Sequence, residues 1–168
     1  MAKQFIYPFT FGDKSKSDLL GGKGANLAEM VQMGLPVPPG FTITTDACRE
    51  FLTTGVVPAA LNEQIKTALA NLEKTVGKKF GDPTSPLLVS VRSGAKHSMP
   101  GMMETVLNVG ITPEVADAMA KTSGNEKFAQ DSYRRFIDMF GRIVCDLPDE
   151  VVHKVEIIYL KKENVKVV

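Results

Sequence analysis

Residues 21–23 of this chain read Gly-Gly-Lys and open a stretch with helical spacing. Glycine lets a backbone approach a ligand closely, and a helix start offers unpaired N–H groups and the positive end of the helix dipole. Lys23 adds a point charge suited to phosphate. The spacing is neither that of a Walker A loop nor that of a dinucleotide fingerprint. Two interpretations stay open: Gly22 and Lys23 bind phosphate, or the turn carries a solvated lysine.

A second cation, Arg92, follows an apolar run, Leu87–Val91, that is typical of a buried strand. A guanidinium in such a place is costly to bury unless an anion pairs with it. The anion is either a carboxylate of the protein or a phosphate, which the guanidinium matches with two parallel hydrogen bonds.

The loop 96–104 is the third candidate. Ser98, Gly101 and the backbone amides around them could cover a phosphate, whereas a cluster of methionines is usually core filler. His97 has no neighbour at metal-ligand spacing, and His153 lies in an amphipathic helical stretch where a structural role is expected. The sequence therefore predicts no metal site of its own.

Composition restricts the class of protein. The 20 basic and 19 acidic residues give a net charge of +1, so the chain has no overall field that would attract nucleic acid or an anionic membrane. No apolar run reaches the roughly 20 residues of a membrane-spanning helix. The two cysteines, Cys48 and Cys145, are expected to be free thiols in a cytoplasmic protein.

Hydrophobic spacing predicts elements on either side of these candidates. In the first part we expect strands at Phe5–Phe11 and Phe41–Thr44. We expect a helix at Lys23–Met33, with Leu27, Met30 and Val31 on its apolar side. A second helix is expected to be capped by Thr44 or Thr45 and to run to Leu52, and a third lies between Pro58 and Gly77. Leu61, Ile65, Leu69, Leu72 and Val76 form the apolar face of the last helix.

Helices dominate the second part. After the strand Leu87–Val91 and another at Thr105–Val109, we expect helices from Thr112 to about Lys121, from about Asn125 to Cys145 and from Pro148. Phe128, Phe136, Phe140 and Val144 supply the apolar side of the second of these helices. The chain is thus predicted to be α+β, with a mixed lobe at residues 1–110 and a helical subdomain at residues 111–168.

Several motifs together resemble one family, the PEP-utilising enzymes. Residues 19–30 (LLGGKGANLAEM) and 34–42 (GLPVPPGFT) are similar to the opening of its dikinases. Residues 90–95 (SVRSGA), 98–108 (SMPGMMETVLN) and 131–136 (DSYRRF) resemble the pyruvate phosphate dikinase branch in particular. The resemblance extends over about residues 5–147.

The resemblance implies the N-terminal subdomain of an ATP-grasp fold, a small mixed sheet with flanking helices, followed by a helical subdomain. It implies that Lys23 and Arg92 bind ATP phosphates as the catalytic cations. It also implies that the remaining nucleotide-binding residues are Gly22, Ser93, Gly94, Ser98, Met99, Gly101, Met102, Met103 and Glu104, with residues 99–102 as a lid. Phosphoryl transfer relies on positioning and charge stabilisation, which agrees with cations and backbone donors.

The family's reaction converts ATP, phosphate and pyruvate to AMP, diphosphate and phosphoenolpyruvate with Mg²⁺. It needs a carrier histidine, a pyruvate-binding barrel and acidic metal ligands, which are all expected outside this chain, and the full-length family enzyme is expected to be a homo-oligomer. Neither His97 nor His153 has the context of the carrier. We therefore expect weak ATP binding and no turnover by this chain alone. The alternatives are a stand-alone nucleotide-binding or regulatory module and a truncated, non-catalytic remnant.

Overall fold

The computed structural model describes residues 3–94 and 104–154. The chain divides into two compact units by its internal packing. Among the described residues, the first unit comprises 3–77 with 93 and 94, and the second comprises 78–92 and 104–154. The predicted boundary between residues 1–110 and 111–168 stays a prediction.

The first unit contains one two-stranded antiparallel sheet and three helices in its described part. In chain order these are β1 (Ile6–Pro8), a short 3-10 turn (Lys14–Lys16), α1 (Ser17–Gln32), β2 (Phe41–Ile43), α2 (Thr45–Thr54) and α3 (Ala59–Val76). Ile6 pairs with Ile43 and Pro8 with Phe41. The predicted strand Phe5–Phe11 is shorter because the chain turns after Pro8, whose carbonyl accepts a hydrogen bond from the Phe11 N–H.

Two clusters of buried side chains form the core of this unit. In the first, Phe5, Ile6, Ala47 and Leu61 join the sheet to α2 and α3. In the second, Leu20, Ala25 and Ala28 bury one side of α1. The expected apolar stripe of α1 is wrong at Met30, which is 40% exposed, because small residues rather than large ones bring this helix close to β2.

The predicted N-cap of α2 is at the expected residue, but it does not make the expected side-chain hydrogen bond. Thr44 is the residue before the helix and is 1% exposed, yet its side chain makes no capping hydrogen bond. Its hydroxyl oxygen is buried without a hydrogen-bond partner within the described part of the chain. The Thr45 hydroxyl instead donates to the main-chain carbonyl of Asp18, which ties the start of α2 to the start of α1.

The second unit pairs short strands with helices. Its elements are β3 (Lys79–Phe80), β4 (Pro86–Leu87), β5 (Val89–Arg92), β6 (Thr105–Val109), α4 (Pro113–Ser123) and α5 (Glu126–Ile143), and residues 149–154 are again helical. β3 and β4 are parallel, whereas β5 and β6 are antiparallel. The predicted small mixed sheet is therefore three separate two-stranded sheets across the two units, because each strand pairs with a single neighbour in the part of the chain described.

The β5–β6 ladder contains a bulge. Val89 pairs with Val109 and Val91 with Val106, so three steps along β6 oppose two along β5. Asn108 lies within this stretch with φ of 58°, in the left-handed region that asparagine tolerates better than most residues. Beyond the bulge, Arg92 pairs with Thr105.

Ile111, Val115 and Ala116 form the buried cluster of the second unit, and Leu88, Met119, Tyr133 and Phe136 pack against it. Side chains cap both long helices: the Thr112 hydroxyl accepts from the Val115 N–H, and the Asn125 carbonyl oxygen accepts from the Phe128 N–H. The predicted apolar side of α5 is only partly buried. Phe136 packs inward, but Phe128 is 52% and Val144 56% exposed, because α4 and β6 cover only one side of α5.

Candidate functional site

The glycine turn before Lys23 is a break within α1. Gly21 has φ of 70° and ψ of 165°, and helical dihedral angles resume at Gly22. Only glycine adopts this combination readily, since a side chain would collide with the adjacent backbone. The predicted helix at Lys23–Met33 is thus the second part of a longer helix that begins at Ser17. Lys23 lies in the first turn after the break, where N–H groups of a helix lack intrahelical partners.

Lys23 is half-buried. Its ammonium group makes no hydrogen bond and no ion pair with any residue in 3–94 or 104–154. Other lysines of the first unit do have partners: Lys3 pairs with Glu50 at 3.3 Å and Lys66 with Glu63 at 2.7 Å. Within the described protein, the charge of Lys23 is therefore available to an external anion.

The turn that carries Lys23 is held on both sides of the break. Before it, the Asp18 carbonyl accepts the hydrogen bond from Thr45. After it, Gly24 is buried so close to β2 that a Cβ on it would lie 2.8 Å from Cγ2 and 2.9 Å from Oγ1 of Thr42. Both threonines belong to one short segment, residues 42–45, which the sequence pattern did not single out as part of a site. The sequence pattern gave Thr44 and Thr45 only as candidate caps of α2.

Arg92 ends β5 in the second unit. The expectation of a buried strand at Leu87–Val91 is wrong. Leu87 is buried in β4, but Val91 is 54% exposed and Arg92 is exposed, because β5 pairs only with β6 among the described strands and is left open to solvent. The guanidinium makes no hydrogen bond or ion pair to a described residue. Because Arg92 is exposed, it needs no anion to offset burial, and its guanidinium is available to an external anion within the described protein.

The other predicted nucleotide-binding residues divide between described and undescribed positions. Gly22 is half-buried, and Ser93, Gly94 and Glu104 are exposed beside β5 and β6. Ser98, Met99, Gly101, Met102 and Met103, and with them the predicted lid, lie outside the described residues.

The two other arginines near predicted motifs are already paired. In α5 the Asp131 carboxylate accepts from Arg134 at 2.9 Å and from Arg135 at 2.7 Å. Burial acts to raise the pKa of Asp131, but the hydrogen bonds from these arginines outweigh it and lower that pKa below its usual value. Nearby, burial and then the charge of Glu114 raise the pKa of Tyr133.

A cleft of about 720 Å³ also lies within the first unit. Ile6, Phe9 and Pro38 line one side of it, and Gln64, Asn71 and Thr75 of α3 line the other. It has a volume typical of ligand pockets, yet neither Gly22 nor Lys23 lines it. The cleft and the predicted phosphate-binding residues of this unit are therefore separate features.

The family model that describes the pyruvate phosphate dikinase AMP/ATP-binding domain matches residues 17–63 and 53–135. The chain belongs to this family. Both Lys23 and Arg92 lie within the matched ranges, as do Gly22, Ser93, Gly94 and Glu104. The motif residues thus belong to the part of the chain that defines the family.

Curated relatives support the same membership. The chain is 51% identical over 152 residues to pyruvate, phosphate dikinase of Entamoeba histolytica, covering 90% of this chain and 17% of the relative. It is 50% identical over 156 residues to the enzyme of Clostridium symbiosum, covering 92% and 18%. It is 56% identical over 138 residues to pyruvate, phosphate dikinase 1, chloroplastic, of Oryza sativa subsp. japonica, covering 82% and 14%. The chain spans less than a fifth of the length of these relatives.

Two structural properties complete the description of this family member. In the described residues, each helix is too short or too polar to cross a membrane. The same residues contain no group of three or more histidine, cysteine, aspartate or glutamate side chains arranged to hold a metal ion.

Proposed function

We propose that this chain is the ATP-binding part of a pyruvate phosphate dikinase and that Lys23 and Arg92 each bind phosphate groups of the nucleotide. The observation that carries the proposal is that the family match includes both cations, and that neither has an anionic partner in the described protein. A cation that lacks an internal partner and follows or adjoins a glycine turn is well suited to a phosphate ligand.

Lys23 is the better supported of the two. It is half-buried, so its charge is less screened by water than that of a fully exposed lysine, and a phosphate placed beside it would interact more strongly. Lys23 also lies in the first helical turn after the break at Gly21, and the N–H groups at a helix start are suited to binding anions.

Arg92 is supported by the geometry of its strand. The side chain follows a strand that is fixed by pairing with β6, so its Cα position is set by the ladder while its guanidinium stays exposed. Ser93 and Gly94 continue the chain, and no atom of the described residues lies within 4 Å of a Cβ built on Gly94, which leaves room there for a ligand beside the backbone. We propose Gly22, Ser93, Gly94 and Glu104 as further contacts of the nucleotide.

The fold proposed for the whole nucleotide-binding domain is an ATP-grasp, of which this chain supplies the N-terminal lobe and part of a helical subdomain. The proposed overall reaction converts ATP, phosphate and pyruvate to AMP, diphosphate and phosphoenolpyruvate. We propose that the ligands of its Mg²⁺, the carrier histidine and the pyruvate site lie in other parts of a longer enzyme. The proposed compartment is the cytoplasm, where exposed Cys48 and Cys145 would stay reduced.

Titration of ATP into the purified chain tests this proposal, with isothermal calorimetry as the readout. The wild type is expected to bind weakly, and Lys23→Ala and Arg92→Ala should each lower the affinity by about tenfold to a hundredfold, because a charge-assisted hydrogen bond contributes roughly 1.5–3 kcal/mol. Lys74→Ala and Arg49→Ala, which remove exposed cations elsewhere, serve as matched controls and should bind like the wild type.

The outcomes separate the alternatives. Equal affinities in all five proteins would contradict the roles of Lys23 and Arg92, and absence of binding in all five would favour a non-catalytic remnant. Formation of phosphoenolpyruvate by the chain alone would contradict the proposal that the reaction needs further domains.

A further inference from the structure

We propose that Thr42 and Thr45 position Lys23 for its ligand, Thr42 through the close approach of Gly24 and Thr45 through its hydrogen bond to Asp18. The proposal rests on the phosphate-binding role proposed for Lys23 above. It assigns to residues 42–45, where β2 ends and α2 begins, a role in nucleotide affinity, although neither threonine is placed in contact with the nucleotide.

The contact of Gly24 with Thr42 leaves no room for a side chain. A Cβ on Gly24 would lie 2.8 Å and 2.9 Å from the two heavy atoms on the Thr42 Cβ, and 3.2 Å from the Leu20 Cβ. Threonine is branched at Cβ, and two of its three staggered positions are always filled, so rotation gives little relief. An added methyl group would have to push α1 away from β2, and Lys23 would move with it.

The hydrogen bond of Thr45 fixes the other side of the break. The Asp18 carbonyl belongs to the first turn of α1, and the Thr45 hydroxyl donates to it from the first turn of α2. Gly21 separates Asp18 from Lys23 and has the one conformation in this helix that is not helical. The part of α1 before Gly21 is thus held by the hydrogen bond from Thr45, and the part after it packs closely against Thr42.

Position matters for Lys23 because hydrogen bonds to phosphate weaken steeply outside a narrow range of distance and angle. A misplacement of about 1 Å can cost up to about a hundredfold where a group must meet a ligand precisely. Ala25 and Ala28, each 1% exposed, continue the close packing along the helix, so a displacement at Gly24 would tilt the turn rather than be absorbed locally.

The experiment compares two pairs of variants by ATP titration of the full 168-residue chain. Gly24→Ala should weaken ATP binding about tenfold, and adding Thr42→Ala should restore most of the affinity, because it removes both atoms that meet the new methyl group. Thr45→Ala should weaken binding several-fold, whereas Thr45→Ser, which keeps the hydroxyl donor, should bind like the wild type. Thr53→Ala is the control, since Thr53 makes the same kind of hydrogen bond within α2, to Arg49, away from α1.

The same variants in a Lys23→Ala background show whether the effect passes through Lys23. There, Gly24→Ala and Thr45→Ala should cause no further loss of affinity. Equal losses in both backgrounds would overturn the positioning role, as would failure of Thr42→Ala to rescue Gly24→Ala. Should Gly24→Ala not fold, the comparison of Thr45→Ala with Thr45→Ser still decides the question.

A readout without ATP separates this proposal from the proposed function. The amide ¹H and ¹⁵N chemical shifts of Lys23 in the ligand-free chain should change in Thr45→Ala and stay close to the wild-type values in Thr45→Ser, since residue 45 is not a sequence neighbour of Lys23. If they do so while Lys23→Ala binds ATP like the wild type, the binding role of Lys23 fails and its positioning by residues 42–45 stands. Unchanged Lys23 shifts in Thr45→Ala would overturn the positioning itself.

Discussion

The side-chain amide of Gln64 is hydrogen-bonded to the main chain next to Phe5. Its Oε1 accepts from the Phe5 N–H at 2.7 Å, and its Nε2 donates to the Lys3 carbonyl at 2.9 Å. The Gln64 side chain of α3 thus makes hydrogen bonds to the Phe5 N–H and the Lys3 carbonyl, just before the β1–β2 ladder begins at Ile6. Because Phe5 is 3% exposed and belongs to the core, this contact joins α3 to the sheet at a buried position.

We expect Gln64→Ala to lower the free energy of unfolding by about 1–3 kcal/mol, since it leaves a part-buried N–H and a carbonyl without partners. Urea denaturation followed by circular dichroism measures the change. Asn62→Ala, on the exposed side of the same helix, is the control and should change the stability by less than about 0.5 kcal/mol. Equal effects of the two substitutions would mean that the Gln64 hydrogen bonds contribute nothing.

Gly21→Ala is expected to lower the free energy of unfolding by about 1–3 kcal/mol, because alanine is strained at φ of 70° and ψ of 165°. The matched substitution Asn26→Ala, at an exposed position in the helical part of α1, should be neutral or slightly stabilising. Thermal denaturation of both proteins checks the prediction. If Gly21→Ala were as stable as Asn26→Ala, the break in α1 would not require glycine.

The pairing of Asp131 with Arg134 and Arg135 makes a pH-dependent contribution to stability. The folded pKa of Asp131 lies below its usual 3.8, so the charged carboxylate stabilises the fold above that value and the contribution is lost as the pH falls through the folded pKa. Asp131→Asn should therefore be less stable than the wild type near neutral pH, by about 0.2–1 kcal/mol because the pair is partly exposed. In strong acid the two proteins should converge.

Urea denaturation at a series of pH values from about 6 downward measures this convergence. Asp117→Asn, at an exposed position on α4, provides the comparison for removing a carboxylate that has no such arginine pair. A constant difference between Asp131→Asn and the wild type at every pH would contradict an ionic origin.

Sequence pattern was sufficient where one physical cause dominates an element. β6 has the predicted bounds, Thr105–Val109, because its alternation comes with glycine after it. α3 lies between the predicted Pro58 and Gly77, which are the residues that flank the helix. At such places the local preference and the packing require the same structure, so either one predicts the element.

The pattern failed where burial depends on what packs against an element. Apolar spacing placed Met30 on the inner side of α1, but the buried positions are Gly24, which approaches Thr42 of β2, and Ala25 and Ala28, which cluster with Leu20. The apolar run before Arg92 suggested a strand covered on both faces, although only the neighbouring strands decide whether it is covered. Hydrophobicity along a chain reports a preference for burial, and distances between elements decide which residue satisfies it.

For the candidate site, residue type and spacing identified Lys23 and Arg92, since charge and glycine context are local properties. Thr42 and Thr45 could not be found in this way, because their relation to Lys23 exists only through contacts between residues some 20 positions apart. The roles of all four residues stay predictions for the titrations described above.

The bulge in β6 shifts the pairing of β5 with β6 by one residue before the pair reaches Arg92. Without it, the register of Val89 with Val109 would continue to place Val106, which is 5% exposed, opposite Arg92 in place of Thr105. The bulge therefore keeps the buried Val106 opposite Val91 and the half-buried Thr105 opposite Arg92. Substitution of the paired valines would leave Thr105 opposite Arg92. Deletion of a single residue near Asn108 would instead remove the bulge and place Val106 opposite Arg92.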